Sequence, residues 1–249
     1  MAGYIHRQYI SSAAVISIAG GVEHAEAVKV VKRCFGGWKT GGGTQTHKPF
    51  EESPARRVKI ETRDIEQTHM CLILGLSLFD PKRFTLDMLN VVLGSGMSSR
   101  LFSEVRDKLG LAYSVQSYVD HMKDTGSLVV YAGVDSAKAE QALEAIIREL
   151  LRFRDETISA NELTKAKEMS KGHLVLRLED SRYMAGWLGG QEIRAGRVLT
   201  IDEVSAMVDA VTPVDIQQLA NHLIKPSSMR LAVVGPHRKS SVLRELVAG

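Results

Sequence analysis

The sequence predicts an α+β fold, a two-layer α/β sandwich in which helices cover a mainly antiparallel sheet. Predicted strands that follow one another along the chain are joined by a short turn or a helical excursion, and the helices run in blocks, which is typical of such a fold. Residues 123–126 (Lys-Asp-Thr-Gly) carry a hairpin signal between two predicted strands. The length of 249 residues, with 44% apolar and 24% charged side chains, fits either one large domain or one domain plus part of another.

The first 54 residues predict one strand, one helix and a linker. Residues 13–20 form a short apolar run closed by glycine, which indicates a buried strand. Apolar side chains recur at near-helical spacing over residues 24–35, so a helix is expected to pack behind that strand. Residues 36–54 are rich in glycine and polar side chains and contain proline, which predicts the linker.

The rest of the chain predicts the sandwich itself. Alternating or continuous apolar runs predict strands at residues 57–62, 67–78, 112–120, 126–134 and 229–234. Helical periodicity covers residues 83–94, 98–109, 136–153, 159–178, 181–194, 201–209 and 213–223. Asp180 is predicted to cap the helix that follows it, and Thr212 with Pro213 predicts another helix start.

The end of the chain repeats the pattern of its beginning. Residues 11–20 align with residues 226–235, and in both places a helical segment precedes the run and a helical pattern follows the glycine. Two such units indicate a duplicated architecture, with one complete repeat over about 55–249 and the tail of another over 1–40. A tail cannot bury a core alone, so it would need an upstream segment or dock on the complete domain. The alternative is that residues 1–40 add a strand to the single domain.

Charge and histidine placement exclude several classes of function. The net charge of +3 comes without a basic run interleaved with aromatic side chains, so nucleic acid is not an expected partner. No stretch is apolar for long enough to span a membrane, and no secretory pattern opens the sequence, which favours a cytoplasmic location. The eight histidines include no pair at three- or four-residue spacing, and we expect this chain to bind no metal.

The segment from Leu93 to Tyr113 carries the candidate functional residues. It ends one helix at a glycine-rich break, opens another, stops that helix at Gly110 and delivers Tyr113 at the head of a strand. Arg106 and Tyr113 are both hydrogen-bond donors. A pair held across one tight turn can bind a peptide carbonyl by donating hydrogen bonds to its oxygen. The alternative is that Arg106 pairs with a nearby acidic residue at the surface and that Tyr113 is an ordinary sheet tyrosine.

The same segment resembles a known family. Its order, L-G-x-G-x-x-S-R-L-F-x-x-V-R-x-x-x-G-L-A-Y, is similar to the C-terminal half of the pitrilysin/insulinase zinc metallopeptidases, which include the mitochondrial processing peptidases and bacterial homologues. The resemblance implies a metallopeptidase half-domain with the LuxS/MPP-like fold. In that family the N-terminal half holds zinc on an H-x-x-E-H motif, and the C-terminal half contacts the peptide. By motif position, Arg106 and Tyr113 would be substrate-binding residues, with no catalytic residue in this chain.

The resemblance also implies an organisation and a function. Residues 1–40 would be the tail of the zinc-bearing N-terminal half, residues 41–55 the linker, and residues 56–249 the C-terminal substrate-binding half. The chain would be the non-zinc portion of a zinc-dependent endopeptidase that clamps and hydrolyses peptides, inactive alone, with zinc in the complete enzyme. Its expected partners are a peptide substrate and the N-terminal half or a partner subunit, with a homodimer also open. The alternative is a non-catalytic binding or scaffold subunit that pairs with a separate zinc-bearing chain.

Overall fold

The computed structural model describes residues 2–38, 57–76, 82–122, 125–237 and 241–248. These residues form two compact units. One unit consists of the described part of Met1–Pro49 together with Gly172–Glu203, and the other of the described parts of Phe50–Lys171 and Val204–Gly249. The predicted linker at residues 41–55 lies outside the described residues, and so do residues 123 and 124 of the predicted hairpin turn.

The second unit contains a five-stranded sheet. Its strands are β1 (Val58–Thr62), β2 (Gln67–Leu76), β3 (Ala112–His121), β4 (Gly126–Asp135) and β5 (Met229–Gly235). The order across the sheet is β1-β5-β2-β4-β3, so β1 and β3 are its edge strands among the described residues. β1 pairs with β5 in parallel, whereas the other three pairs are antiparallel. The prediction of a mainly antiparallel sheet is confirmed.

Helices cover one face of this sheet, and the described part of the unit leaves the other face open. On β2, every second side chain from Thr68 to Leu74 is almost fully buried. The side chains between them, from Gln67 to Ile73, are half-buried or exposed. Because successive side chains of a strand point to opposite faces, this alternation separates a packed face from a solvent-facing one. The predicted two-layer sandwich is confirmed.

The helices for which the sequence predicted bounds begin and end close to the predicted residues, and Ala2–Gln8 and Ser241–Ala248 are added to them. They are α1 (Ala2–Gln8), α2 (His24–Phe35), α3 (Arg83–Gly94), α4 (Ala139–Asp155), α5 (Ala160–Leu178), α6 (Ser181–Ala195), α7 (Ile201–Asp209), α8 (Pro213–Leu223) and α9 (Ser241–Ala248). The Asp180 side chain caps α6 by accepting a hydrogen bond from the Tyr183 N–H at 2.7 Å. Thr212 and Asp215 form a reciprocal capping box at the start of α8, so both predicted helix starts are confirmed.

The helix predicted at residues 98–109 forms with an unexpected hydrogen-bond pattern. Over Phe102–Lys108 it is a π-helix, and the Leu109 N–H beyond it bonds to the Glu104 carbonyl five residues back at 3.1 Å. The apolar pattern does not distinguish this turn from an α-helix, because the two buried side chains, Leu101 and Val105, are four residues apart in either case.

The prediction of a buried strand at residues 13–20 is wrong for the described structure. A 3-10 turn at Ser11–Ala13 leads into extended backbone, yet no described strand pairs with this segment, and Val15, Ile16 and Ile18 are 43–49% exposed. The alternative, in which residues 1–40 add a strand to the single domain, is not observed either, because residues 2–38 contain no strand. The matching 3-10 turn at Pro226–Ser228 leads into β5, which is held between β1 and β2. Extended backbone becomes a strand only where neighbours satisfy its N–H and C=O groups.

Candidate functional site

Two glycines shape the break between α3 and the π-helix. A side chain at Gly94 would place its Cβ 2.5 Å from both the N and the Oγ of Ser117, so only glycine lets the end of α3 approach β3 this closely. Gly96 has a φ of 106°, which L-residues with side chains rarely adopt. The Ser117 hydroxyl donates to the Asn90 carbonyl at 3.2 Å and ties the strand to the helix. The glycine-rich break between two helices that the sequence predicts is thus observed.

The π-helix presents Arg106 on its exposed side. Leu101 and Val105 are fully buried beneath it, and the Arg106 guanidinium carbon lies 4.8 Å from the centre of the Phe102 ring. Among the described residues no ion pair of Arg106 is observed, and the nearby Glu104 carboxylate pairs with Lys108. The surface ion pair considered as an alternative for Arg106 is therefore not observed. Stacking on an aromatic ring orients a guanidinium without using its N–H donors.

The helix that carries Arg106 ends as the sequence predicts. Gly110 has a φ of 58°, and its N–H donates to the Arg106 carbonyl at 3.1 Å. The Lys138 ammonium then donates to the Gly110 carbonyl at 3.2 Å. A left-handed glycine at this position reverses the chain into β3 at little conformational cost.

A partly buried ion pair anchors the other end of this helical segment. Arg100 donates to Glu162 of α5 through Nε to Oε1 at 2.8 Å and Nη2 to Oε2 at 3.2 Å, and its guanidinium stacks on Phe153 at 4.6 Å. The hydrogen bond from Arg100, assisted by hydrogen bonds from Ser159, lowers the pKa of Glu162 to about 2 against the desolvation that opposes it. The pair ties the segment bearing Arg106 to a long helix of the core.

Arg106 forms part of the wall of a groove along the free edge of the sheet. The groove has a volume of about 280 Å³. It is lined by Gly94–Met97, Phe102, Arg106 and Ser114–Ser117. The last four are consecutive residues of β3, whose side chains alternate between the two faces of the sheet. A groove that meets all four therefore runs along the edge of β3, where no strand of the described residues pairs with half of the backbone N–H and C=O groups.

Tyr113 directly precedes the groove-lining residues of β3 in the chain. The pairing of β3 with β4 steps from Ala112 opposite Val134 to Ser114 opposite Gly133, so Tyr113 is the extra residue of a β-bulge. Its side chain is 59% exposed, and it is not among the groove-lining residues, whereas its neighbour Ser114 is. The structure thus places Arg106 in the wall of the groove along β3, whereas Tyr113 does not line the groove. A substrate-binding role for the two residues stays a prediction.

Several residues of this region were not predicted as functional. The contact between Phe102 and Arg106 could have been predicted from the sequence, because residues four apart on a helix meet on one face. The positions of Ser114 and Gln116 in the groove could not have been predicted, since they depend on which strand forms the edge.

Within the described ranges, no three His, Cys, Asp or Glu side chains come together in a group that could hold a metal ion. None of the described helices is both long and apolar enough to cross a bilayer.

The fold is shared with several solved structures. A protease from Helicobacter pylori matches with a TM-score of 0.76 at 22% identity, over 87% of this chain and 54% of that one. A peptidase M16 inactive domain from Pseudomonas fluorescens matches with a TM-score of 0.76 at 20% identity, over 88% and 53%. A chain of complex III2 from Candida albicans matches with a TM-score of 0.77 at 16% identity, over 91% and 56%. At these identities the similarity shows the fold alone.

Sequence comparison identifies the family. A family model described as the peptidase M16 inactive domain matches residues 1–170. The uncharacterized zinc protease YmxG of Bacillus subtilis is 35% identical over 235 residues, which cover 94% of this chain and 56% of that protein. An uncharacterized zinc protease of Streptomyces coelicolor is 33% identical over 259 residues, covering 98% and 55%. The chain thus spans about half the length of these relatives. The resemblance to zinc metallopeptidases is confirmed, and the chain belongs to the peptidase M16 family, in the part described as its inactive domain.

Proposed function

We propose that this chain is the substrate-binding portion of a zinc endopeptidase and that it holds an extended peptide in the groove along β3. The observation that carries the proposal is the position of Arg106, which the sequence motif singled out and which lines this groove. Zinc and the residue that activates water would belong to the N-terminal half, in line with relatives that are named zinc proteases. Residues 1–40 would be the tail of that half and residues 41–55 the linker.

The chemistry of the groove suits a peptide main chain. An exposed edge strand offers a row of unpaired N–H and C=O groups to which an extended peptide can add as a further strand. The Arg106 guanidinium, held over Phe102, adds fixed donors for a carbonyl oxygen of that peptide. Tyr113, the exposed chain neighbour of the groove-lining Ser114, would supply a second donor. Neither side chain activates water, so the groove binds and orients a peptide and does not cleave it.

Peptide binding by the purified chain tests the proposal. We expect a fluorescently labelled unfolded peptide to bind, and Arg106→Ala to weaken its affinity about tenfold, because a hydrogen bond to a charged group is lost. Arg148→Ala is the matched control, since Arg148 is an exposed arginine of α4 that does not line the groove. N-methylation of the peptide backbone should weaken binding at every second position. Equal affinities for the Arg106→Ala and Arg148→Ala variants would refute the proposed groove.

A longer protein that includes a zinc-bearing half tests whether Arg106 and Tyr113 contribute to peptide hydrolysis. Arg106→Ala and Tyr113→Phe should each lower turnover of a peptide substrate while the zinc content, measured by elemental analysis, stays that of the unmodified enzyme. Unchanged turnover in both variants would remove the proposed substrate-binding roles of these residues.

A second candidate is a non-catalytic binding or scaffold subunit that pairs with a separate zinc-bearing chain. The chain shares its fold with a chain of complex III2 from Candida albicans, and a shared fold does not imply a shared function. Size-exclusion chromatography with a zinc-bearing relative would separate the candidates, since a scaffold would form a stable complex whose formation is independent of Arg106 and of added peptide. The same chromatography of the chain alone tests whether it forms a homodimer, the possibility that the sequence left open.

A further inference from the structure

We infer that the unit that contains α6 carries a docking groove for an acidic amphipathic helix of a partner protein. This groove, which we call the arginine groove, has a volume of about 700 Å³ and lies along α6 beside the end of α5. Arg177, Arg182 and Arg194 line it. The inference goes beyond the proposed function, because Arg106 and the groove along β3 belong to the other unit.

The arginine groove carries an excess of positive charge. In the part of the chain that the structure describes, no ion pair of Arg177, Arg182 or Arg194 is observed. Asp180 is the one acid among the described residues that line the groove, and its carboxylate caps α6 by accepting the Tyr183 N–H. The lining therefore attracts a negatively charged ligand.

Packing, rather than an acid, places two of these arginines. The Arg177 guanidinium carbon lies 5.8 Å from the centre of the Tyr183 ring. A Cβ at Gly190 would lie 3.3 Å from both Nη1 and Nη2 of Arg194, so this glycine makes room for the guanidinium one helical turn before Arg194 itself. Side chains of a helix point toward its N-terminus, which for Arg194 is the direction of the groove. Both guanidinium groups keep N–H donors for a carboxylate, which accepts two of them in parallel.

The floor of the arginine groove is apolar and open. Leu176 and Tyr183 are 64% and 38% exposed, and Trp187 is half-buried. Tyr183, Trp187 and Arg194 follow one another at spacings of four and seven residues, so they share one face of α6 over about 16 Å. Gly186 also lines the groove, and a Cβ there would meet no atom within 4 Å. This face is long enough for about three turns of a second helix.

An acidic amphipathic helix matches both properties of the groove. Its apolar side chains, three or four residues apart, would cover the aromatic floor, and carboxylates beside them would pair with the arginines. A free phosphate would pair with the arginines and leave the apolar floor exposed. A purely apolar helix would bury guanidinium groups without partners, which costs free energy.

Binding of a helical peptide tests this inference. The probe is a labelled peptide that a hydrocarbon staple holds helical, with leucines three and four residues apart and glutamates beside them. A helical backbone cannot add to β3 as a strand, so the groove along β3 does not contribute. We expect this peptide to bind, and the same peptide with glutamine in place of glutamate to bind about tenfold more weakly. Arg194→Gln should weaken binding of the glutamate peptide about five- to tenfold. Arg33→Gln is the matched control, since Arg33 is an exposed arginine of the same unit that does not line the groove.

A second variant blocks the arginine groove without changing its charge. Gly186→Leu places a side chain on the open floor, and leucine is favoured over glycine inside a helix, so the melting temperature should be kept or rise. Binding of the glutamate peptide should weaken at least as much as in Arg194→Gln. Gly172→Leu is the matched control, because a Cβ at Gly172 also meets no atom within 4 Å and Gly172 lies outside the groove.

Four outcomes would overturn the inference. They are absence of binding by the glutamate peptide, equal binding by the glutamine peptide, weakening by either control variant as strong as that by its counterpart, and binding of phosphatidylserine vesicles in place of the peptide. The melting temperature of each variant excludes unfolding as the cause. A failure here leaves the proposed function standing, because the groove along β3 is tested separately, with unfolded peptides and Arg106→Ala.

Discussion

Replacing Glu162 by glutamine should destabilise the segment that carries Arg106. Glutamine keeps the shape of the side chain and removes its charge, so Arg100 loses its ionic partner. The Arg100 side chain is only 12% exposed and lies against Phe153, which is fully buried, so solvent cannot fully replace the lost carboxylate. An ion pair broken on one side leaves the remaining charge poorly solvated, which costs more than the pair contributed.

The pKa of Glu162 sets the size of the effect. Lowering a pKa from 4.5 to about 2 corresponds to about 3 kcal/mol of stabilisation of the charged form. Because 36% of the Glu162 side chain is exposed, solvent screening reduces this to about 1–2 kcal/mol. The folded-state pKa lies below the unfolded one, so this contribution is complete above about pH 4.5 and is lost as the pH falls through 2. The difference between the two proteins should therefore be constant from pH 7 to 5 and shrink below that.

Urea unfolding followed by far-ultraviolet circular dichroism, together with hydrogen exchange, measures this difference. Tryptophan fluorescence does not suit the purpose, because Trp38 and Trp187 both belong to the unit formed by Met1–Pro49 and Gly172–Glu203. Faster exchange is expected for the amides of Phe102–Lys108. Asp155→Asn, which removes an exposed partner of Arg154, is the control and should leave the urea midpoint unchanged. A difference between Glu162→Gln and the unmodified chain that is absent, or that stays constant down to pH 3, would refute this reasoning.

Two further predictions concern packing and thiol chemistry. Gly94→Ala should lower the free energy of unfolding by about 2 kcal/mol, because its methyl group meets the backbone of Ser117, whereas Gly172→Ala in α5 meets no atom within 4 Å and should raise it by about 0.5–1 kcal/mol. Equal melting temperatures for the two variants would contradict this. Burial raises the pKa of the Cys71 thiol, and Cys34 is exposed, so iodoacetamide at pH 8 should modify Cys34 first and Cys71 only as the pH rises. Peptide mapping by mass spectrometry measures both rates, and faster modification of Cys71 would contradict the placement of the two thiols.

The motif from Leu93 to Tyr113 shows how much of the candidate site can be predicted from the sequence. It led to the family, to the break at Gly94, to the left-handed Gly110 and to Arg106 as the residue of interest. These features depend on residues near one another in the chain, where periodicity, glycine conformation and helix capping act locally. The same locality explains why the predicted boundaries of α3, α6 and α8 agree with the structure. It also explains the error at residues 13–20, because local pattern describes extended backbone but not whether a neighbouring strand is present.

The sequence by itself determined which segments are helical or extended, which residues cap them and which family the chain belongs to, because neighbouring residues decide these properties. Only the tertiary structure decided that β3 is an edge strand and that a bulge separates Tyr113 from the groove wall. Strand order and register arise from pairing between residues far apart in the chain. That pairing is settled by the burial of a whole sheet face, so a local signal such as the hairpin at residues 123–126 does not show which strand becomes the edge.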